Sequence, residues 1–131
     1  MAPAFSPRHL PALFAGGLNI AGGVVTLVNP GRAVLGYGFP GRVAGAPGSG
    51  ALMAIFGARA AVLGVLVLLF YARGQLAAVD DVLAVLGLWA GLVDAWVLRR
   101  EGRPDKGLLR LAASWAVAAC GLAGLTQGRA S

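Results

Sequence analysis

Three carboxylates interrupt an otherwise apolar run from Gln75 to Leu98: Asp80, Asp81 and Asp94. A helix over this run, rising about 1.5 Å per residue, would cross the ~30 Å hydrocarbon core of a bilayer. At about 100° per residue, Asp80, Ala84, Gly87, Gly91 and Asp94 fall near one face, while Val82, Val85, Leu86, Leu88, Trp89 and Leu92 cover most of the rest. An acid at mid-membrane costs roughly 2.5–3.5 kcal/mol on insertion scales, so this small, acidic face must look into a bundle and find a partner there.

Arg59 is the predicted partner. Counted from the basic side of the predicted helices, Asp94 lies roughly 7 Å in, Arg59 and Ser114 roughly 10–12 Å, and Asn19 roughly 13 Å, which makes one polar layer from four helices. The guanidinium fork suits a carboxylate, and the long arginine stem closes a few ångströms of offset. Such a pair can serve as register glue, yet it is often no more stable than an apolar replacement, which points to a ligand or a reaction. In that reaction Asp94, held ionised by Arg59, would orient or activate water or a substrate hydroxyl. Asn19, Ser114 or Arg59 would donate to the developing oxyanion. Trp89 and Trp115 are candidate substrate contacts, although they and Trp96 equally suit packing or the membrane interface. Asp80 and Asp81 stand about 20 Å along the helix from Asp94, too far to act on the same atom. They lie only ~7–9 Å from the outer end, where capping or a solvated mouth is expected.

The elements that must hold this layer follow from composition and punctuation. With 131 residues, 58% hydrophobic and 12% charged, the chain is one small domain, residues 1–131, too apolar for an ordinary soluble protein. The predicted fold is all-α, an up-down-up-down bundle of four transmembrane helices over about 12–28, 51–72, 75–98 and 107–126. The leader to Pro11 reads as irregular, with His9 solvated. A cleaved signal peptide competes for the first apolar stretch, but the leader is poor in positive charge and the pairs Gly16-Gly17 and Gly22-Gly23 suit a retained, closely packed helix.

Asn29-Pro30-Gly31 stops the first helix, and a Gly- and Pro-rich connection reaches Gly50. Gly36, Gly38 and Gly41 match a G-x-G-x-x-G pattern by letter only, since no strand precedes it and Pro40 falls inside it. Tyr37 and Phe39 are placed at the membrane surface. The net charge of +6 comes almost wholly from residues in or beside connections, where lipid phosphates are the nearest anions, so the bilayer and not nucleic acid is the expected partner. Arg32, Arg42, Arg99, Arg100, Arg103, Lys106 and Arg110 gather on one side, against Arg8, Arg73 and Arg129 on the other. The positive-inside rule therefore places loops 29–50 and 99–107 in the cytoplasm of a multi-pass membrane protein. The single cysteine, Cys120, has no partner for a disulfide or a metal, and neither metal nor cofactor is expected. Glycine-lined faces permit a homo-oligomer as readily as close packing within one chain.

Asn29-Pro30 with Gly38-Phe39-Pro40, then Gly57, Arg59 and Gly64, then Asp94 late in the third helix, together resemble a family of small four-helix membrane proteins. That family is abundant in fungi and largely of unknown function. Some members look like enzymes of polyketide or terpenoid pathways that open epoxides inside the membrane. A histidine-tryptophan pair associated with the family's fourth helix stands here as Ser114-Trp115, without the histidine's acid/base capacity. The resemblance implies a hydrolase or isomerase for a lipophilic small molecule such as an epoxide. The alternatives are a non-catalytic accessory or lipid-binding membrane protein and a small transporter, whose expected acid in the first helix is replaced by Asn19.

Overall fold

The computed structural model describes residues 2–128, which are all-helical and without strands. A 3-10 turn at Pro7–His9 leads into α1 (Leu10–Val28), followed by α2 (Pro30–Tyr37), α3 (Gly41–Ala44), α4 (Ser49–Ala72), α5 (Leu76–Arg100) and α6 (Pro104–Leu122). The segments Pro7–Val28, Ser49–Ala72 and Leu76–Arg100 are long and apolar enough to cross a membrane, the build of an integral membrane protein. Their outward sides carry exposed Leu18, Val28, Leu52, Val62, Val85 and Trp89, which a bilayer would cover. The α6 helix, with Asp105, Lys106 and Arg110 in its first two turns, is not among the three.

Two expectations are corrected here. The connection 29–50 is not irregular throughout. The Asn29 side chain accepts the Arg32 N–H at 3.2 Å and Pro30 takes the first helical position, so the same pair that ends α1 starts α2. Gly38, at φ +120°, closes α2 against Lys106 and Leu98. The leader is likewise partly helical, and His9 is fully buried rather than solvated. Its Nδ1 lies 2.9 Å from the Tyr71 hydroxyl, and the two rings meet edge to face. Arg129, counted above on the less basic side, lies outside the described residues.

Packing divides the long helices into two antiparallel pairs, α1 with α4 and α5 with α6, each joined along glycines. On the first seam a Cβ at Gly23 would lie 2.5 Å from the Gly57 carbonyl oxygen, and one at Gly57 would collide with Thr26. On the second, a Cβ at Gly87 or Gly91 would strike Ser114, and one at Gly121 would strike Asp80 and Ala84. These seams let backbones touch, the arrangement that lets helices associate without a hydrophobic driving force. Contact between the pairs is far sparser and is concentrated at the end holding the α1 N-terminus. There Ala12, Ala15, Val67, Val79 and Leu83 form the buried apolar cluster.

Beside that cluster Asp80, 1% exposed, accepts the backbone N–H groups of Thr126 and Gln127, each at 3.0 Å. The carboxylate therefore caps the turn at Thr126 and Gln127, one of the two outcomes expected for it, and its burial leaves no solvated mouth, the other. At the opposite, basic end the two pairs part, and the α2–α3 segment covers the gap. Arg42 ties α3 across to Glu101 at 2.9 Å, an exposed pair that fixes position more than it stabilises.

Candidate functional site

The gap beneath α2 and α3 is a cavity of about 360 Å³. Val34 and Tyr37 of α2, Phe39 and Val43 near α3, Leu52, Met53 and Phe56 of α4, and Val93, Asp94 and Val97 of α5 line it. Its walls are apolar apart from Ser49, the Tyr37 hydroxyl and the Asp94 carboxylate. Tyr37 stacks on Phe39 with centroids 5.4 Å apart and meets Phe56 edge to face. The two aromatic residues expected at the membrane surface thus form part of the cavity wall.

Asp94 does find a cation, but it is Arg110 of α6, whose Nε donates to Asp94 Oδ2 at 3.2 Å. Arg110 engages only Oδ2 of Asp94, and the Tyr37 hydroxyl lies near enough to the same carboxylate to interact with it. The Arg110 guanidinium carbon also lies over Tyr37, 3.6 Å from the ring centroid, a cation–π contact worth about 0.5–2 kcal/mol depending on desolvation. Burial first, and the Asp94 charge second, push the Tyr37 phenol above its usual ionisation range, with Arg110 opposing. Tyr37 is therefore a neutral hydrogen-bond donor at any physiological pH. A carboxyl group, a guanidinium and a phenol meet at the edge of a greasy chamber, and such a set can orient a hydroxyl or water and stabilise a developing oxyanion.

Arg59 is not the partner of Asp94. It is exposed on α4 and makes no ion pair or hydrogen bond through its side chain among the described residues. The reason is packing: α5 is zipped to α6 and only sparsely in contact with α4. Gly57 and Gly64 fix the α4 face that meets α1, and Arg59, two residues past Gly57, points about 160° away from Gly57 around the helix. The remaining candidates are also dispersed. Asn19 hydrogen-bonds back to the Ala15 carbonyl at 2.8 Å and packs against Gly64 in the α1–α4 seam. Ser114 fills the α5–α6 seam opposite Gly87 and Gly91, and Trp115 lies against Gly91 with much of its ring exposed. Trp89, 70% exposed, lines a second groove of about 540 Å³ between α4 and α5 with Leu63, Asp81, Val82, Val85, Leu86 and Ala90. Asn19, Ser114, Trp115 and Trp89 therefore do not converge with Asp94 on the cavity.

Arg110 and Tyr37 are the residues that sequence reasoning passed over. A signal existed for Arg110. Gly87, Gly91 and Asp94 share one α5 face, and small residues on an acid's own face mark the helix that comes closest. That helix is α6, which presents Ser114 and, four residues earlier, Arg110.

An all-helical chain with three membrane-length apolar helices and a charged cluster on an apolar chamber defines a small integral membrane protein with a polar site. The sequence of residues 16–124 matches DUF4267, a domain of unknown function, and the chain belongs to that family. No curated protein and no solved structure matches the chain.

Proposed function

We propose that this protein admits a lipophilic small molecule to the chamber under α2 and α3 and opens a carbon–oxygen bond there, an epoxide being the simplest such group. The single observation behind this reading is the meeting of Asp94, Arg110 and Tyr37 at a cavity otherwise lined by hydrocarbon. The Asp94 Oδ1, which Arg110 does not engage, takes a proton from water as the water oxygen bonds to the ring carbon. The carbon–oxygen bond breaks, and the departing oxygen takes the Tyr37 phenolic proton beside the Arg110 charge. The proton on Asp94 then returns to the Tyr37 oxygen, and the net change is water plus epoxide to diol. The frame for this chemistry is a four-helix transmembrane bundle in which α6 is the fourth span. Loops 29–50 and 99–107 are cytoplasmic in this reading, by the excess of arginine on that side.

The test is turnover of lipophilic epoxides by protein purified in detergent. Asp94→Asn is expected to lower turnover by about 10²-fold or more while thermal unfolding stays cooperative. Unchanged turnover in that variant would refute the assignment. A second reading, a non-catalytic lipid-binding or accessory protein, is favoured by one feature: Arg110 already satisfies Asp94 and stacks on Tyr37, as a structural lock would. It predicts no turnover and a lipid or protein that co-purifies, seen by mass spectrometry.

A further inference from the structure

Arg59 stands about 15 Å from the Ser49 end of α4 and about 20 Å from the Ala72 end, near the middle of a membrane-length helix. An arginine there with no ion pair among the described residues is costly, and none of the described carboxylates is offered to it. Asp80 is buried and caps the final turn, Asp94 holds Arg110, Glu101 holds Arg42 and Asp105 holds Arg103. Asp81 makes no ion pair among the described residues, but it lies about 8 Å from the outer end of α5, some 12 Å from the depth of Arg59, so a parallel second copy cannot supply it either.

The position of Arg59 on its helix is informative. Leu52 and Phe56 line the cavity and Leu63 lines the groove, and about the α4 axis Arg59 falls within about 20–60° of all three, between the two openings. Helical side chains lean toward the N-terminus, which for Arg59 is the direction of Phe56 and the cavity. Toward α5, Phe56 shares the cavity with Val93, and Leu63 shares the groove with Leu86, which places Arg59 level with Ala90. That is about 6 Å along the axis from Asp94.

We propose that Arg59 is an anion site for the molecule in this chamber, which is a lipophilic carboxylic acid: its carboxylate pairs with Arg59 while a second oxygen function, several carbons away, reaches Asp94 and Tyr37. This rests on the chamber being the ligand site, and it narrows the substrate class to lipophilic acids. Phosphates of bilayer lipids share the anionic chemistry but belong at the surface, about 15 Å above Arg59.

The probe is tritiated hexadecanoic acid bound to the purified protein at mildly alkaline pH. The competitors are the unlabelled acid, hexadecanol, methyl hexadecanoate and phosphatidic acid. The acid should compete at a concentration about tenfold or more below that of the alcohol or ester, as expected for a charge pair in a largely dry site. Arg59→Met should erase that preference without changing competition by the alcohol, and Arg59→Lys should keep most of it. Equal competition by acid and alcohol in the wild type would overturn the proposal, and needs no variant to fold. So would an acid preference that survives in Arg59→Met, or phosphatidic acid competing as well as the free acid. Asp94→Asn should retain the acid preference, so failure of the chemistry at Asp94 and failure of the anion site are separate results.

Discussion

The choice between Arg110 and Arg59 as the partner of Asp94 can be decided in solution by two thermodynamic cycles that share one variant. Asp94→Leu is combined once with Arg110→Met and once with Arg59→Met, and unfolding free energies are measured in mixed detergent micelles. At 3.2 Å and an effective dielectric of about 20, the Coulomb attraction between Asp94 and Arg110 is about 5 kcal/mol. Much of that is offset. The Arg110 side chain is 35% exposed, so water screens it, and holding two long side chains in one geometry costs rotamer entropy. Asp94, 13% exposed, is the less screened partner, and a coupling of about 1–2 kcal/mol is expected to survive. Arg59, with no contact to Asp94, should show a coupling of about zero, within the ~0.3–0.5 kcal/mol additivity of independent sites. A larger coupling to Arg59 than to Arg110 would refute the site geometry described above.

Three further outcomes follow from the packing. Gly57→Val places two methyl groups beyond a Cβ that already collides with Thr26, so it should destabilise by about 1–3 kcal/mol or more, read by the same unfolding assay. Asp80→Ala leaves the Thr126 and Gln127 N–H groups without an acceptor and should cost about 1–3 kcal/mol, with faster hydrogen exchange confined first to residues 124–128. For Tyr37, ultraviolet difference spectra against Tyr37→Phe should place ionisation above the usual value near 10, and Asp94→Asn should bring it down. Because the folded phenol ionises later than the unfolded one, the Tyr37 contribution to stability is complete below about pH 10 and is lost as the pH rises beyond it.

The long helices were legible because apolar runs of membrane length leave few alternatives, and α1, α4 and α5 begin and end within two residues of their predicted bounds. The α6 helix starts three residues earlier than predicted, at Pro104, because proline at the first helical position extends a helix backward where it was taken to end a loop. The same oversight hid α2, whose start is marked by Asn29-Pro30. That Asp94 requires a cation was legible from the cost of burying its charge. Which cation was not, because depth along the membrane can be counted from sequence while the choice of which helices zip together depends on the packing of their small-residue faces. Arg59 matches Asp94 roughly in height, but α4 packs only sparsely on α5, whereas α6, zipped to α5, brings Arg110 to 3.2 Å. His9 was misplaced for a related reason: a proline-rich leader suggests solvent, whereas Tyr71 offers the ring a hydrogen bond and an aromatic edge.

The division into two glycine-zipped pairs has a consequence for how the polypeptide could be made. Each pair holds its own seam, and the link between α4 and α5 is only the turn Arg73–Gln75, exposed and remote from the chamber. A chain severed at Gly74 would give two polypeptides, each with its own hairpin of long helices, that meet again through Ala15, Val67 and Leu83. Co-expressed in one membrane, the halves should reassemble. Continuity of the backbone at that turn is then a convenience of synthesis and no requirement of the site.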